Sequence, residues 1–224
     1  MKIAAIGDVH GCLDQLQQLL EHVKKYQPEQ YIFIGDYVDR GSQIKEVVQF
    51  IMDFQKQNNV ITLIGNHEDM LLQNNYDHQT DVSYQRRILP EHLIWFRELP
   101  IYHVDDKGRV YVHAGINRGL PMKHQSRSYM LWARDEFYQD NRPDGRFVIH
   151  GHTPLMLPFP DLKENRVNLD TGCVFGYVMS AAIFEDDQIK PKYLINNTGQ
   201  VLDTQYKSLV EQIRAHWPKH PCQE

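Results

Sequence analysis

Five short apolar runs constrain this chain more than anything else in it: Ile3–Ile6, Tyr31–Ile34, Val60–Ile64, Val110–Val112 and Phe147–Ile149. Runs of this length, rich in branched residues, suit strands buried on both faces. Between the first two, Leu13, Leu16, Leu19, Leu20 and Val23 recur at the helical period; between the next two, Ile44, Val47, Val48, Ile51 and Phe54 do the same. The N-terminal part therefore reads βαβαβ, which closes into a right-handed parallel sheet. A short helix is expected after Gly65, and another from near Pro90 to just before Pro100. Turn sequences at 105–108 (DDKG) and 186–188 (DDQ) separate β-rich segments. The second half is therefore expected to be largely antiparallel, with a closing amphipathic helix carrying Tyr206, Leu209, Val210 and Ile213. No repeat, low-complexity tract or Pro/Gly linker divides the chain, so residues 1–224 are expected to form one α/β domain. Segments 75–89 and 117–146 are polar and irregular, and read either as solvated loops or as lids over a binding site.

The residues directly after these runs are chemically one-sided. The first run leads into GDVHG (7–11), the second into GDYVDRG (35–41), the third into GNHE (65–68), the fourth into HAG (113–115) and the fifth into HGHTP (150–154). Parallel strands share a carboxyl edge, and ligands of open α/β sheets bind there. Asp8, His10, Asp36, Asn66, His113 and one of His150 or His152 are therefore expected to converge, with the glycines letting backbone approach closely. Taken singly, Asp8 and Asp36 read as helix caps, Asn66 as a turn residue and His113 as a satisfied histidine. Those readings leave the recurrence after five runs unexplained.

The set comprises two carboxylates, one amide and three imidazoles, with no thiolate. Mixed oxygen and nitrogen donors suit manganese, iron or zinc rather than calcium or magnesium. Six donors exceed what one open catalytic ion uses, but suit two ions sharing a carboxylate. The central strand is the natural source of that bridge, which nominates Asp36. Such ion pairs, roughly 3.5–4 Å apart, acidify a water and hold phosphoryl oxygens. His67 is then placed to give a proton to a leaving oxygen, Asp39 to orient that imidazole, and Arg40 to bind phosphate with its planar fork. Tyr37 and Val38 read as packing residues only.

Composition narrows the setting. A net charge of −5 argues against sequence-independent binding to nucleic acid or an anionic membrane, and no stretch approaches the ~20 apolar residues that span a bilayer. With an aspartate already at position 8, MKIAAIGD is not expected to act as a signal peptide. Three cysteines (Cys12, Cys173, Cys222) without a C-x-x-C spacing make no disulfide framework, so a cytoplasmic location is expected. Twelve histidines raise the expectation of a metal site without placing it.

The three-motif series GDVHG, GDYVDRG and GNHE, with HAG and GHTP after it, resembles the phosphoprotein phosphatase family of metallophosphoesterases over residues 3–185. NLDTGCVFG (168–176) is similar to the short bacterial and phage-type branch. The resemblance implies a β-sandwich flanked by helices around two divalent ions, commonly manganese, with iron and zinc as alternatives. Carried over by motif, Asp8, His10 and Asp36 hold the first ion; Asp36, Asn66, His113 and His152 hold the second. His152 takes precedence over His150 because it sits in the Gly-His pair. His67 becomes the acid oriented by Asp39, Arg40 a phosphate ligand, and Arg134, in LWARDEF (131–137), the second arginine. Ile64 departs from the arginine that many protein phosphatases carry before GNHE.

The expected reaction is direct hydrolysis by a metal-bridging hydroxide without a phospho-enzyme. The substrate favoured by sequence is a Ser/Thr phosphoprotein, with phosphotyrosine also admitted, or another small phosphoester, acted on by a monomer. The alternative is a symmetrical diadenosine tetraphosphate hydrolase; that branch tends to be longer, reads Gly-Asn-His-Asp where this chain has Glu68, and carries an arginine-rich helix not evident in LWARDEF. A non-catalytic module would have lost a ligand, the acid or the arginine, and none is missing.

Overall fold

A computed structural model describes residues 1–73, 88–140, 142 and 144–204. The N-terminal half obeys the periodicity: β1 (Ile3–Ile6), α1 (Leu13–Lys24), β2 (Gln30–Phe33), α2 (Ile44–Gln57), β3 (Val60–Thr62), α3 (Asn66–Gln73) and α4 (Pro90–Glu98). Then come β4 (Tyr102–Val104), β5 (Val110–Val112), α5 (Arg127–Trp132), α6 (Asp135–Tyr138), β6 (Val148–His150), β7 (Asp161–Leu162), β8 (Arg166–Asn168), β9 (Ser180–Phe184), β10 (Tyr193–Asn196) and β11 (Val201–Asp203).

These strands make two sheets. One has the order β11-β10-β9-β1-β2-β3 and the other β4-β5-β6-β8-β7. In the first, β1, β2 and β3 run parallel while β9 returns antiparallel to β1. In the second, β5, β6 and β8 are mutually parallel. The five apolar runs thus split between two stacked sheets instead of lining the edge of one. The expectation of a largely antiparallel second half holds for β9–β11 and the β4–β5 and β7–β8 pairs, but not for β5, β6 and β8. For β6 beside β5 the reason lies in 117–146: this stretch contains α5 and α6, which carry the chain back for a parallel return, while β8 comes back beside β6 after the excursion through β7. Helices of six and four residues are too short to print a helical period; Ser126 marks α5 instead, its Oγ accepting the Tyr129 N–H at 3.1 Å. The 105–108 and 186–188 turns join antiparallel neighbours as expected. Residues 74–87, most of the first polar segment, and the expected C-terminal helix lie outside the described residues.

Strand alternation divides the core into layers. Ala4, Ile6, Tyr31 and Phe33 face α1 and α2, packing with Leu16, Leu19, Val47 and Ile51. Ile3, Ala5, Ile32 and Ile34 face the second sheet and meet Tyr111, Ile149 and Val167. Val110, Val112 and Val148 turn outward to Met130, Ala133 and Phe137 of the crossover. Helix, sheet, sheet and helix are therefore stacked, which is why the apolar runs of β1, β2, β5 and β6 do not alternate with polar residues. Among the described residues no helix is long and apolar enough to cross a membrane.

Candidate metal centre

The parallel strands of both sheets end on the same side, where the loops after β1, β2, β3, β5 and β6 meet. The seam between the sheets is closed by hydrogen bonds. His113, after β5, donates from Nδ1 to Ile34 O just past β2 at 3.0 Å, and the His152 N–H, after β6, donates to the Asp8 carboxylate after β1 at 3.0 Å; within the second sheet, Gly151 N–H donates to His113 O at 2.8 Å. Two groups of donors result. His10, Asp36 and His67 form one, and Asp36, His113 and His152 the other; within each, the donor atoms lie within 4.8 Å of one another. Asp36 belongs to both, its Oδ2 lying 3.4 Å from His10 Nε2 and its Oδ1 3.4 Å from His113 Nε2. Asn66 Oδ1 completes the second group, at 2.8 Å from both His113 Nε2 and His152 Nδ1.

Each of the ten residues expected at a site lies in or beside this cluster, with differences of detail. Asp8 is buried, yet its carboxylate accepts the His152 backbone N–H at 3.0 Å and stands outside both donor groups. His67 stands in the first group, although its Nδ1 is engaged by Asp39 Oδ2 at 2.7 Å. Arg40 donates from Nη1 to His10 Nε2 at 2.8 Å and from Nη2 to His67 Nε2 at 3.1 Å. Both imidazoles therefore present Nε2 lone pairs to one space, and a cation already sits on them. Arg134 is exposed at the lip, its Nη1 3.4 Å from Thr153 Oγ1, next to His152. His150 points away, packed edge-on against Phe137 and Tyr138. His150 and His152 thus have different surroundings, and only His152 faces the donors.

The backbone is strained where the cluster forms. His10, Asp36, Asp39, Arg40 and His152 all have φ between 44° and 72°, the left-handed region, which costs about 1–3 kcal/mol at each non-glycine residue. Close approach also fixes Gly65 and Gly151: a Cβ on the first would land on Asp36 Oδ1, and on the second on Asp8 Oδ1. One carboxylate holds much of this together. Glu68, fully buried, accepts four backbone N–H bonds: Tyr37 (2.7 Å) and Val38 (3.1 Å) on Oε1, Asp36 (3.0 Å) and Gly65 (2.9 Å) on Oε2. Tyr37 and Val38 thus do more than pack. Their N–H groups grip Glu68, the Tyr37 hydroxyl donates to Leu63 O at 2.7 Å, and Val38 O accepts His10 Nδ1–H at 2.8 Å.

Electrostatics match a site for cations. Burial pulls His10 down to about 3 and His152 to about 2, so both imidazoles are neutral donors at pH 7. Burial also lowers His113, but the Asp36 carboxylate outweighs it and raises His113 to about 9. Asp36 itself is held well below the usual range, the neighbouring histidines overcoming its burial. Burial and then Asp170 push Asp8 upward; Asp170 is itself raised to about 6, chiefly by burial. Two buried carboxylates that repel one another and a guanidinium drawn onto histidine lone pairs both fit bound divalent cations.

Asp170 and the role of Glu68 escape the sequence pattern. Asp170 comes just after β8, parallel to β6, so its strand also ends at this edge. NLDTG carries the signal, but Asn168 shortens the apolar run before it.

Comparison with known proteins agrees with this chemistry. Residues 1–195 match the family described as calcineurin-like phosphoesterase. A bis(5'-nucleosyl)-tetraphosphatase (asymmetrical) of Oceanobacillus iheyensis is 28% identical, over 84% of this chain and 90% of its own. A crystal structure provisionally described as a diadenosine tetraphosphatase superposes with a TM-score of 0.68 at 21% identity, covering 90% of this chain and 91% of that one. The cold-active protein-tyrosine phosphatase of a psychrophilic Shewanella gives 0.68 at 19%, covering 90% and 80%. At those identities the two structures speak for the fold.

Proposed function

The chain belongs to the calcineurin-like phosphoesterases, metal-dependent hydrolases, and we propose that it hydrolyses dinucleoside tetraphosphates asymmetrically, to a nucleoside triphosphate and a nucleoside monophosphate. The observation that carries the chemistry is the sharing of Asp36 between two donor groups. Asp8, His10 and Asp36 would hold one ion and Asp36, Asn66, His113 and His152 the other, with manganese favoured. Bound ions would supply an acidified water and positive charge for the phosphoryl oxygens.

This chain's own residues do the rest. Arg40, once its guanidinium turns from His10 and His67 to substrate, grips phosphate oxygens, and Arg134, exposed beside Thr153, supplies a second guanidinium. Asp39 fixes the His67 tautomer with the proton on Nδ1, leaving Nε2 to carry and deliver a proton to the leaving phosphate oxygen as the P–O–P bond breaks. The water oxygen ends on the attacked phosphorus, and no covalent phospho-enzyme is needed.

This substrate assignment reverses the ranking favoured by sequence alone, and it replaces the symmetrical cleavage of that alternative by the asymmetrical cleavage named for the Oceanobacillus relative. Length fails as a discriminator, because this chain covers 90% of the Oceanobacillus tetraphosphatase. The Glu68 distinction also loses weight: that carboxylate binds backbone behind Asp36 and does not face the donor space. The reading takes the enzyme as a cytosolic monomer acting on a small phosphoester, not on nucleic acid or at a membrane. The test is kcat/KM on metal-defined protein for diadenosine tetraphosphate against a phosphoserine and a phosphotyrosine peptide. A preference of at least a hundredfold for the dinucleotide is expected; a preference for either peptide would restore the protein-phosphatase reading.

A further inference from the structure

Two water-facing aromatic rings stand against residues of the candidate centre. Among the described residues, Trp132 and Phe175 are the aromatic members of the exposed large hydrophobics, at 43% and 45% exposure. Trp132 closes α5, where its neighbours Leu131 and Ala133 turn inward and leave the indole outside. Its ring stands 6.1 Å from that of His152, nearly perpendicular at 82°. Phe175 ends the one-turn 3-10 helix Cys173–Phe175, and the Arg40 guanidinium carbon lies 5.4 Å from the centre of its ring. One ring therefore borders the second donor group, and the other borders the arginine that faces the first.

We propose that Trp132 and Phe175 are stacking platforms that receive the nucleobases of the substrate, so that base recognition is built into the rim of the phosphate-cleaving centre. This rests on the reading of the enzyme as a dinucleoside tetraphosphatase and goes on to name what selects that substrate. Apolar rings left half in water lose burial that a partner would restore. A nucleobase of any identity is flat and offers a π face, so a bare ring suffices to hold it without hydrogen-bond readout. The negative polyphosphate between the bases belongs to Arg40, which lies against Phe175, to the donor cluster, whose His152 lies against Trp132, and to Arg134, two residues beyond Trp132. A phosphoserine side chain has nothing flat to place on either ring, whereas a phosphotyrosine does; the test separates that source.

The experiment uses full-length, metal-loaded protein and the variants Trp132→Leu and Phe175→Leu, in which leucine keeps apolar bulk against His152 and Arg40 but removes the flat ring. The readout is the ratio of kcat/KM for diadenosine tetraphosphate to kcat/KM for inorganic tetraphosphate, which has no base. Each variant is expected to lower that ratio about tenfold, chiefly through KM, and the double variant further. Trp132→Phe should recover most of the loss. An unchanged ratio in an enzyme that cleaves the dinucleotide overturns the stacking role and leaves the functional reading standing. A wild-type enzyme that leaves the dinucleotide intact overturns the functional reading itself, and the inference with it. Loss confined to a phosphotyrosine peptide, with dinucleotide turnover unaffected, also overturns it.

Discussion

Replacing Glu68 by glutamine removes one charge and exchanges one oxygen for an NH2 group, in a place where four backbone N–H groups converge. Each carboxylate oxygen takes two of them: Tyr37 and Val38 on Oε1, Asp36 and Gly65 on Oε2. Whichever way the amide turns, its NH2 confronts two donors. Hydrogen bonds to a charged acceptor contribute about 1.5–3 kcal/mol each, so two lost bonds amount to about 3–6 kcal/mol. An offset applies. Burial and the nearby Asp36 raise Glu68 from 4.5 to about 6, a penalty on the ionised form of about 2 kcal/mol that the amide escapes. The net expectation for Glu68→Gln is a destabilisation of about 1–4 kcal/mol, a sizeable part of the roughly 5–15 kcal/mol a domain usually holds. Urea unfolding of metal-free protein, monitored by tryptophan fluorescence, measures it without linkage to metal binding. Because the same four N–H groups position the Asp36 loop, metal affinity should fall as well. Glu68→Gln protein as stable as wild type, or more stable, would refute the reasoning that these donors depend on the carboxylate.

The same geometry sets other expectations. His67→Asn should lower kcat about 10²–10⁴-fold while two ions per chain remain by elemental analysis; loss of an ion would make His67 a ligand, as its place in the first donor group allows. Gly151→Ala would drive a methyl group into Asp8 Oδ1, so metal content should drop and the melting temperature should fall even without metal. His113 is held protonated up to about 9 in metal-free protein, against an ordinary 6.5. Its stabilising contribution is complete below about 6.5 and is lost as pH rises through about 9, so the metal-free melting temperature should decline across that window and do so less in His113→Gln. Metal binding at pH 7 should release a proton from this imidazole, seen by calorimetry as a binding enthalpy that changes with the buffer's ionisation enthalpy.

Much of the centre could be read from the chain because each donor comes just after an apolar run, and strand ends are where backbone stops satisfying itself. The meeting of His10, Asp36, Asn66 and His113 is legible that way, with Asp8 beside them; position alone left His150 and His152 open, and the resemblance chose between them. The partition of those strands between two sheets was not legible. Apolar runs say that both faces are buried, but a helix and a second sheet bury a face equally well. Ile3 and Ala4 look alike in sequence, yet one meets β-strands and the other helices. The parallel return of β6 beside β5 was hidden because α5 and α6 are shorter than the two turns a period needs. Glu68 was legible as part of GNHE but not as a clasp, since three of its four partners lie about thirty residues upstream, at Asp36, Tyr37 and Val38. Left-handed backbone at His10, Asp36, Asp39, Arg40 and His152 had no signal at all, because residue types that tolerate it give no sign that they adopt it.

We propose that a dinucleoside tetraphosphate is cleaved off-centre at the site around Asp36, where the clustered donors would hold the divalent ions the reaction needs. Chromatographic analysis of the products formed from diadenosine tetraphosphate by manganese-loaded protein tests it most directly. Equal amounts of ATP and AMP, with turnover abolished in Asp36→Asn, are the predicted result. ADP as the sole product, or no cleavage under conditions where a phosphopeptide is turned over, would contradict it.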